Sequence, residues 1–208
     1  MESLPISPIL GRRTSTEREP LVGSPLCLTG DAEADALLND NSLALLIGML
    51  LDQQFPIERA FLSPFRLQQR LGRPLDAIGL ANIPAEKLIE IFSKKPALHR
   101  FPKSMAQRTQ KMCRYLADHY NGNPVDIWSN LPDAVCLRER LLQLPGFGDK
   151  KVKIFVALLA KRFGVAPQGW EKISGHYSTP GFHSVADLDS PEALSQLRAV
   201  RAAAKTNP

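Results

Sequence analysis

The chain has 208 residues, of which 23 % are charged and 44 % are hydrophobic, so it is long enough to bury a core as one globular domain or two small lobes. Its formal net charge of +5 and its pI of about 9.2 suit a polyanionic partner without requiring one. The three cysteines lie far apart, which argues against a disulfide framework or a CxxC metal site. No apolar run reaches the ~18 residues of a membrane span, so we expect a cytoplasmic protein without a membrane partner.

The first part of the chain changes from a polar segment to apolar helices. Residues 1–26 are rich in Pro, Ser, Arg and Glu and have no hydrophobic period, which predicts a flexible tail. The segment LTGDAEADALL then begins a short helix, with Thr29 or Asp31 as its cap. Residues 41–51, NSLALLIGMLL, are apolar on every side and predict a buried helix. It ends at DQQFP, where Pro56 fits the first position of the helix IERAFLSPFRLQQRL.

Helices are also predicted along the rest of the chain, and no segment alternates apolar and polar residues as a strand would. A short helix follows Pro84, and a longer one runs over about 104–119. Residues 190–204 form the last helix, with Asp189 as its cap in a D-x-x-E pattern. We therefore predict that residues 27–208 form one all-α unit.

A glycine-rich turn separates two further helices within 135–163. Apolar residues form one stripe on each helix, so the helices can pack face to face across LPGFG. The stripes are Leu137, Leu141 and Leu144, then Val152, Phe155, Val156 and Leu159. Gly146 stands where the first helix must turn through a left-handed residue. Gly148 leaves room for backbone N–H groups at the start of the second helix to approach a phosphate, and three lysines follow it.

The string L-x-x-L-P-G-x-G-x-K at 141–150 resembles the helix-hairpin-helix element that binds a DNA phosphate. Residues 103–152 also resemble the central stretch of the endonuclease III-like helix-hairpin-helix (HhH-GPD) DNA glycosylases. LALLIGMLLDQQ is similar to their early buried helix, and the likeness, over about 40–163, is greatest to bacterial members with similar GMLLDQQ and GFG motifs. The resemblance implies a two-lobed helical fold, double-stranded DNA as partner and base-excision repair. We expect a monomer.

The resemblance brings the DQQ loop close to the gap left by a flipped nucleotide. The amides of Gln53 and Gln54 could donate to and accept from the orphan base, or they could simply cap a helix end. Between 94 and 114 there are seven Lys or Arg residues and no acidic residue, which suits a DNA backbone or a solvated face. The predicted DNA contacts are Gln53, Gln54, Arg108, Lys111, Gly146, Phe147, Gly148, Lys150, Lys151 and Lys153.

Cleavage of an N-glycosidic bond builds positive charge on the sugar, so an enzyme gains from a carboxylate near the anomeric carbon. A lysine could instead attack that carbon and form a Schiff base, which would add AP-lyase activity. The resemblance places Lys150 at the family's lysine position, where its other role is a phosphate contact. The V-D segment that carries the family's catalytic Asp is missing. Glu171 and Asp187 are the alternative candidates, and a third alternative is that no catalytic carboxylate is present.

Many members of the family carry a four-cysteine iron–sulfur motif. Cys27, Cys113 and Cys136 cannot form it, so we expect no cluster and no other cofactor or metal, although carbonyls of the hairpin could hold a monovalent cation. Residues 164–189 are rich in Gly, Pro and Ser. They predict a long irregular loop that is either functional or disordered.

The leading hypothesis from the sequence is an N-glycosylase that removes a damaged or mispaired base from DNA. The missing V-D segment motivates an alternative, a non-catalytic protein of the same fold that recognises lesions or DNA structure. A third hypothesis is a helical module whose hairpin binds protein.

Overall fold

A computed structural model describes residues 25–206, with side chains as far as Ala203. Within this range the chain is helical and contains no strand, which confirms the all-α prediction. The helices are α1 (Ala32–Asp40), α2 (Ser42–Leu51), α3 (Ile57–Leu71), α4 (Ala77–Ala81), α5 (Ala85–Ser93), α6 (Pro102–Tyr120), α7 (Ala134–Leu142), α8 (Asp149–Phe163), α9 (Trp170–Ser174) and α10 (Pro191–Thr206). Short 3₁₀ turns occupy Pro124–Ile127, Gly175–Tyr177 and Val185–Asp187.

Helix α2 lies at the centre of the hydrophobic core. Every residue from Leu43 to Leu51 is buried, as the uniformly apolar sequence predicts. The side chain of Asn41 accepts from the N–H of Ala44 and so caps the N-terminus of α2. Asp31 caps α1 in the same way, accepting from Glu33 and Ala34. Helix α3 packs against α2, and α4 and α5 pack against α6.

The predicted hairpin is formed by α7 and α8. Both apolar stripes are buried, since Leu137, Leu141, Val152 and Phe155 are each 0 % exposed. Helix α9 and the 3₁₀ turn at 185–187 pack on the far side of α8. The hairpin is therefore held between the rest of the core and the C-terminal segment.

The structure corrects the prediction for residues 164–189. This segment contains α9 and two 3₁₀ turns, and Tyr177, Val185 and Leu188 are buried in the core. Glycine and proline there mark closely spaced turns between short helical pieces rather than one open loop. The segment is anchored at its start, where the N–H of Ala134 donates to the carbonyl of Gln168 at 3.0 Å.

The ends of the chain also differ from the sequence predictions. Residues 1–24 of the predicted tail lie outside the described residues, and Leu26 is 1 % exposed, so the folded unit includes it. At the other end the cap of α10 is Ser190, whose Oγ accepts from Ala193 at 3.2 Å. Asp189 instead pairs with Arg162 at 3.1 Å.

Two features are absent from the described residues: a single membrane-spanning helix and a metal-binding cluster. No single helix in that part of the chain is long and apolar enough to cross a membrane; α1 and α2 pass that test only when taken together, with a bend of 111° between them. No group of three or more His, Cys, Asp or Glu side chains in residues 25–206 is arranged to hold a metal ion.

Candidate nucleic-acid interface

The turn of the hairpin rests on the C-terminal end of α2. Gly146 has φ of +90°, the left-handed conformation that the sequence predicts. A Cβ at this position would lie 2.4 Å from Cδ1 of Leu50, so both the backbone and the packing require glycine. The side chain of Phe147 is 5 % exposed and meets Phe155 edge-on, with ring centroids 5.8 Å apart. The predicted contact of Phe147 with DNA is therefore not available to its side chain, which belongs to the core.

Gly148 begins α8 and faces solvent. No side chain caps this end of the helix, and nothing lies within 4 Å of a Cβ built on Gly148. The N–H of Val152 makes the first bond of the helix, to the Gly148 carbonyl at 3.0 Å. The N–H groups before it point out of the helix end, where the positive end of the helix dipole favours an anion. This open N-terminus has the form expected of a phosphate site.

The acidic residue at this helix end is neutralised by neighbouring cations. Asp149 pairs with Lys153 at 2.8 Å and with Arg138 at 2.9 Å. The hydrogen bonds from Lys153 and then Arg138 lower the pKa of Asp149. Lys150 is exposed and makes no ion pair with any residue the structure describes. Of the three predicted lysine contacts, Lys150 is the one whose charge is left for a phosphate.

Lys151 points inward rather than toward solvent. Its Nζ donates to the carbonyls of Met49 and Leu50, at 2.7 and 2.5 Å, in the last turn of α2. Burial lowers the pKa of the Lys151 amine from 10.5 to about 8, with Asp52 opposing this change and Arg108 adding to it. The sequence predicted Lys151 as a phosphate contact and Lys150 as the candidate nucleophile. In the structure it is the Lys151 amine, and not that of Lys150, that is partly buried.

Gln53 connects this lysine to helix α6. Its Nε2 donates to the same Leu50 carbonyl at 2.9 Å, and it also lies 3.3 Å from Sδ of Met105. Its Oε1 accepts from Nη1 of Arg108 at 3.1 Å. Three predicted site residues, Gln53, Arg108 and Lys151, are thereby brought into one network. Both ends of the Gln53 amide already have partners, so of the two predicted glutamine contacts only Gln54 keeps a side chain without a hydrogen bond to the described residues.

Gln54 is exposed at the tip of the loop and has φ of +51°, which a non-glycine residue seldom adopts. Its amide makes no side-chain hydrogen bond to the described part of the chain. Beside it opens a pocket of about 330 Å³, lined by Gln53, Gln54, Phe101, Ser104, Met105 and Arg108. Backbone strain at a loop tip beside a pocket is typical of functional sites.

His99 contacts the backbone of the loop that carries Gln53 and Gln54. The N–H of Phe101 donates to Nδ1 of His99 at 3.0 Å, so the ring proton lies on Nε2, which contacts the Gln53 carbonyl at 3.1 Å. The ring also packs on Phe55, with centroids 4.6 Å apart. Burial lowers the pKa of His99 and keeps the ring neutral.

Asp52 is a site residue that sequence reasoning missed. It directly follows α2 and is partly buried, and its carboxylate makes no hydrogen bond or ion pair with any residue in 25–206. Burial raises the pKa of Asp52, against the opposing effect of Arg201, Lys151 and Lys150. The only sequence signal was its place beside the two glutamines in DQQ. The charges of the hairpin lysines therefore act on this carboxylate, although neither lysine forms a direct ion pair with it.

The two predicted carboxylates lie in other surroundings. Glu171 is exposed on α9. Asp187 is 7 % exposed and accepts from Lys161 at 2.6 Å and from the N–H groups of His183 and Ser184 at 2.9 and 3.0 Å. Both of its oxygens are occupied in holding the C-terminal segment on α8.

The basic segment does not converge on one surface. Arg108 faces the Gln53 loop, whereas Lys111 is exposed beside a separate pocket near α4. Arg114 is engaged there with the carbonyl of Ala81 at 2.6 Å and with Asn82 at 3.1 Å. Part of the positive charge therefore fixes α4 against α6.

Comparison with known proteins does not extend this description. No protein-family profile matches the sequence, and no curated protein or solved structure matches the chain.

Proposed function

We propose that this chain is a DNA-binding N-glycosylase that acts on a damaged or mispaired base in double-stranded DNA. The observation that supports the proposal is a network of three side chains, in which Lys151 and Gln53 both donate to the Leu50 carbonyl and Arg108 donates to Oε1 of Gln53. It joins the hairpin, the glutamine loop and the basic helix α6. The partly buried Lys151 amine, in the first turn of α8, is thus linked through the Leu50 carbonyl to the loop that carries Gln54.

Each part has a physical role in this proposal. The N-terminus of α8 and Lys150 hold the DNA backbone without reading its sequence. Gln54 enters the space vacated by the extruded base, where an amide can donate and accept. The pocket beside it receives the base. There Arg108 contacts its polar edge, and Met105 and Phe101 contact its apolar face.

The Lys151 amine would also allow AP-lyase activity. A nucleophilic lysine must be neutral when it attacks, and a pKa of about 8 makes the neutral form of Lys151 more abundant near neutral pH than it is in an ordinary lysine. Lys150, at the family's lysine position, is exposed and better suited to a phosphate. We therefore assign the covalent role, where it occurs, to Lys151.

One observation favours the second candidate, a non-catalytic DNA-binding protein. Asp187, one of the two carboxylates predicted from the sequence, is not available to a sugar, because both of its oxygens already accept hydrogen bonds. Such a protein would bind bent, nicked or abasic DNA through the same helix end.

A panel of duplexes that each carry one lesion or mismatch tests the proposal. The protein is incubated with each duplex, strand breaks are scored after alkali, and a parallel sample is treated with borohydride to trap a Schiff base. Base release from at least one duplex is the expected result. Tight binding with no release from any duplex supports the non-catalytic candidate. Undetectable DNA affinity at low salt rejects both and leaves the protein-binding module.

The Gly148→Asp variant tests the DNA-binding half separately. The added carboxylate stands where the phosphate is expected, and nothing in the fold lies near it. We expect weaker binding to DNA of any sequence, because phosphate contacts carry no base information. Gly148→Ala adds only a methyl group and so separates the effect of bulk at this position from that of the negative charge. Unchanged binding by the folded Gly148→Asp protein would remove the phosphate site.

A further inference from the structure

Five arginine and aromatic side chains form a row at the loop between α2 and α3. The guanidinium carbon of Arg59 lies 4.7 Å from the centroid of the Phe55 ring, which lies 4.6 Å from the centroid of His99. The centroids of His99 and Phe101 are 6.0 Å apart, and the guanidinium carbon of Arg100 lies 5.2 Å from the Phe101 centroid. We call this row the aromatic ladder. It has a cation at each end and three rings between them.

The ladder joins two segments of the chain and is fixed at its centre. Phe55 belongs to the α2–α3 loop and Arg59 to the first turn of α3, whereas residues 99–101 directly precede α6. His99 is only 1 % exposed, and its ring bonds to both segments, at the Phe101 N–H and at the Gln53 carbonyl. The ladder is therefore already formed before any ligand binds.

The outer members of the ladder reach solvent. Phe101 is 44 % exposed and is the only exposed aromatic residue in the described part of the chain. Its ring also lines the pocket beside Gln54, so the ladder is continuous with that pocket. The side chains of Arg59 and Arg100 are exposed and make no hydrogen bond or ion pair with residues 25–206. One ring and two guanidinium groups are thus left for a ligand.

The charge around the ladder favours an anionic ligand. The segments 52–59 and 99–108 carry four Lys or Arg residues and two carboxylates, those of Asp52 and Glu58. Glu58 pairs with Arg198 on α10, which removes one of the two negative charges from competition. Lys103, in the first turn of α6, is exposed and has no partner among the described residues.

We propose that the aromatic ladder binds unpaired nucleotides, so that single-stranded DNA is a second ligand of this protein. Aromatic rings and guanidinium planes stack on bases, while neighbouring cations hold the phosphates of the strand. A base within a duplex has both faces covered by its neighbours, so an unpaired strand is the form that offers free faces to Phe101. The inference goes beyond the proposed function, because it requires neither base release nor the phosphate site at the start of α8.

Two strands of equal charge separate stacking on bases from attraction to phosphates. A strand of twelve thymidines carries a base on every sugar, and a strand of twelve tetrahydrofuran residues has the same phosphates and no bases. Fluorescence anisotropy of the labelled strands should show tighter binding of the thymidine strand by the wild-type protein. Phe101→Ala should weaken that binding about 5-fold or more, the usual effect of losing one stacking partner, with much less effect on the base-free strand.

Three further variants serve as controls. Phe101→Trp keeps an aromatic face and should restore binding of the thymidine strand; both substitutions fall on an exposed side chain, and urea unfolding checks the fold. Arg59→Gln removes the cation at the end of the ladder that does not line the pocket, and should weaken binding of the thymidine strand. Lys172→Gln removes the same charge from an exposed position on α9 and should leave both affinities unchanged.

Three results would overturn the proposal. The first is equal affinity of the wild-type protein for the two strands, or undiminished binding of the thymidine strand by folded Phe101→Ala. The second is wild-type binding by Arg59→Gln, which would confine the contact to Phe101 and the pocket. The third is displacement of the thymidine strand by an equal charge of polyglutamate, which would identify an acidic protein segment as the ligand. None of these results bears on base release from duplexes, so the glycosylase proposal is tested separately.

Discussion

Lys151 is stabilised as an ammonium ion by two carbonyl acceptors and destabilised by burial, and burial has the larger effect. The fall of its pKa from 10.5 to about 8 corresponds to at most about 3 kcal/mol that the fold loses in holding this charge. This penalty on the free energy of unfolding has its full size below pH 8. It is relieved as the pH rises from about 8 toward 10.5, because the unfolded chain then holds a proton that the folded chain has released.

The free energy of unfolding should therefore rise more steeply with pH in the wild-type protein than in Lys151→Met between pH 8 and 10.5. Urea unfolding at a series of pH values measures this difference. Lys150→Met, which removes an exposed charge from the neighbouring residue, should keep the wild-type slope. Parallel curves for wild type and Lys151→Met would show that the amine is not desolvated.

The lowered pKa of His99 predicts that stability falls under acid conditions. Its folded pKa lies below 6.5 because the ring is buried, so stability is complete above pH 6.5 and falls as the pH drops toward the lowered pKa. Protonation would also place a hydrogen on Nδ1 against the Phe101 N–H. The fall below pH 6.5 should be smaller in His99→Asn, as urea unfolding between pH 4.5 and 7 would measure. An equal acid dependence in both proteins would contradict this.

At the scale of the elements, the hairpin turn makes different demands on its two glycines. Gly146→Ala places a methyl group 2.4 Å from Leu50 and strains a φ of +90°, so it should cost more than about 1 kcal/mol. Gly148→Ala meets nothing within 4 Å and has φ of −95°, so its cost should be small. Chemical denaturation of both variants gives the comparison.

A double-mutant cycle with Leu50→Ala separates the two causes at Gly146. Removal of Cδ1 should recover the part of the cost that comes from the clash and leave the backbone strain. Additive effects would mean that α2 and the turn are not in contact.

The C-terminal segment depends on the ion pair between Asp187 and Lys161, whose side chains are 6 % and 18 % exposed. Asp187→Asn removes the charge of this pair but leaves Lys161 its bond to the Thr179 carbonyl, so it should lower the free energy of unfolding by roughly 2 kcal/mol. Glu171→Gln, on the exposed face of α9, should change it little. Urea unfolding tests both. A stable Asp187→Asn protein that has lost base release would return Asp187 to the reaction.

The elements that the sequence predicted correctly are those with long apolar patterns. The buried helix α2, the helix α3 and the two stripes of the hairpin follow from residue order alone. Helix α4 and the 3₁₀ turn at 124–127 were missed, since five and four residues hold too little periodicity. The helical pieces within 164–189 depend on burial against α8, which local composition does not encode.

At the scale of the whole molecule, the site was predicted in outline and not in detail. The sequence indicated a hairpin, two glutamines and basic residues. It could not show which of two adjacent lysines turns inward, because that depends on how α8 is rotated against the end of α2. For the same reason the sequence did not distinguish Asp52. It also gave no sign that Asp187 is occupied by an ion pair with Lys161.

The contact between Lys151 and Met49 spans 102 residues of chain. Closing so long a segment requires α2, the glutamine loop and the hairpin all to be docked, so the amine acquires its altered acidity only when folding is complete. Unfolded or partly folded chains carry an ordinary lysine there. Reactivity of this one amine toward an acylating reagent near pH 8 would therefore time the final assembly of the molecule during refolding. A newly made chain would also form adducts with sugars or aldehydes through this residue only slowly until it is native.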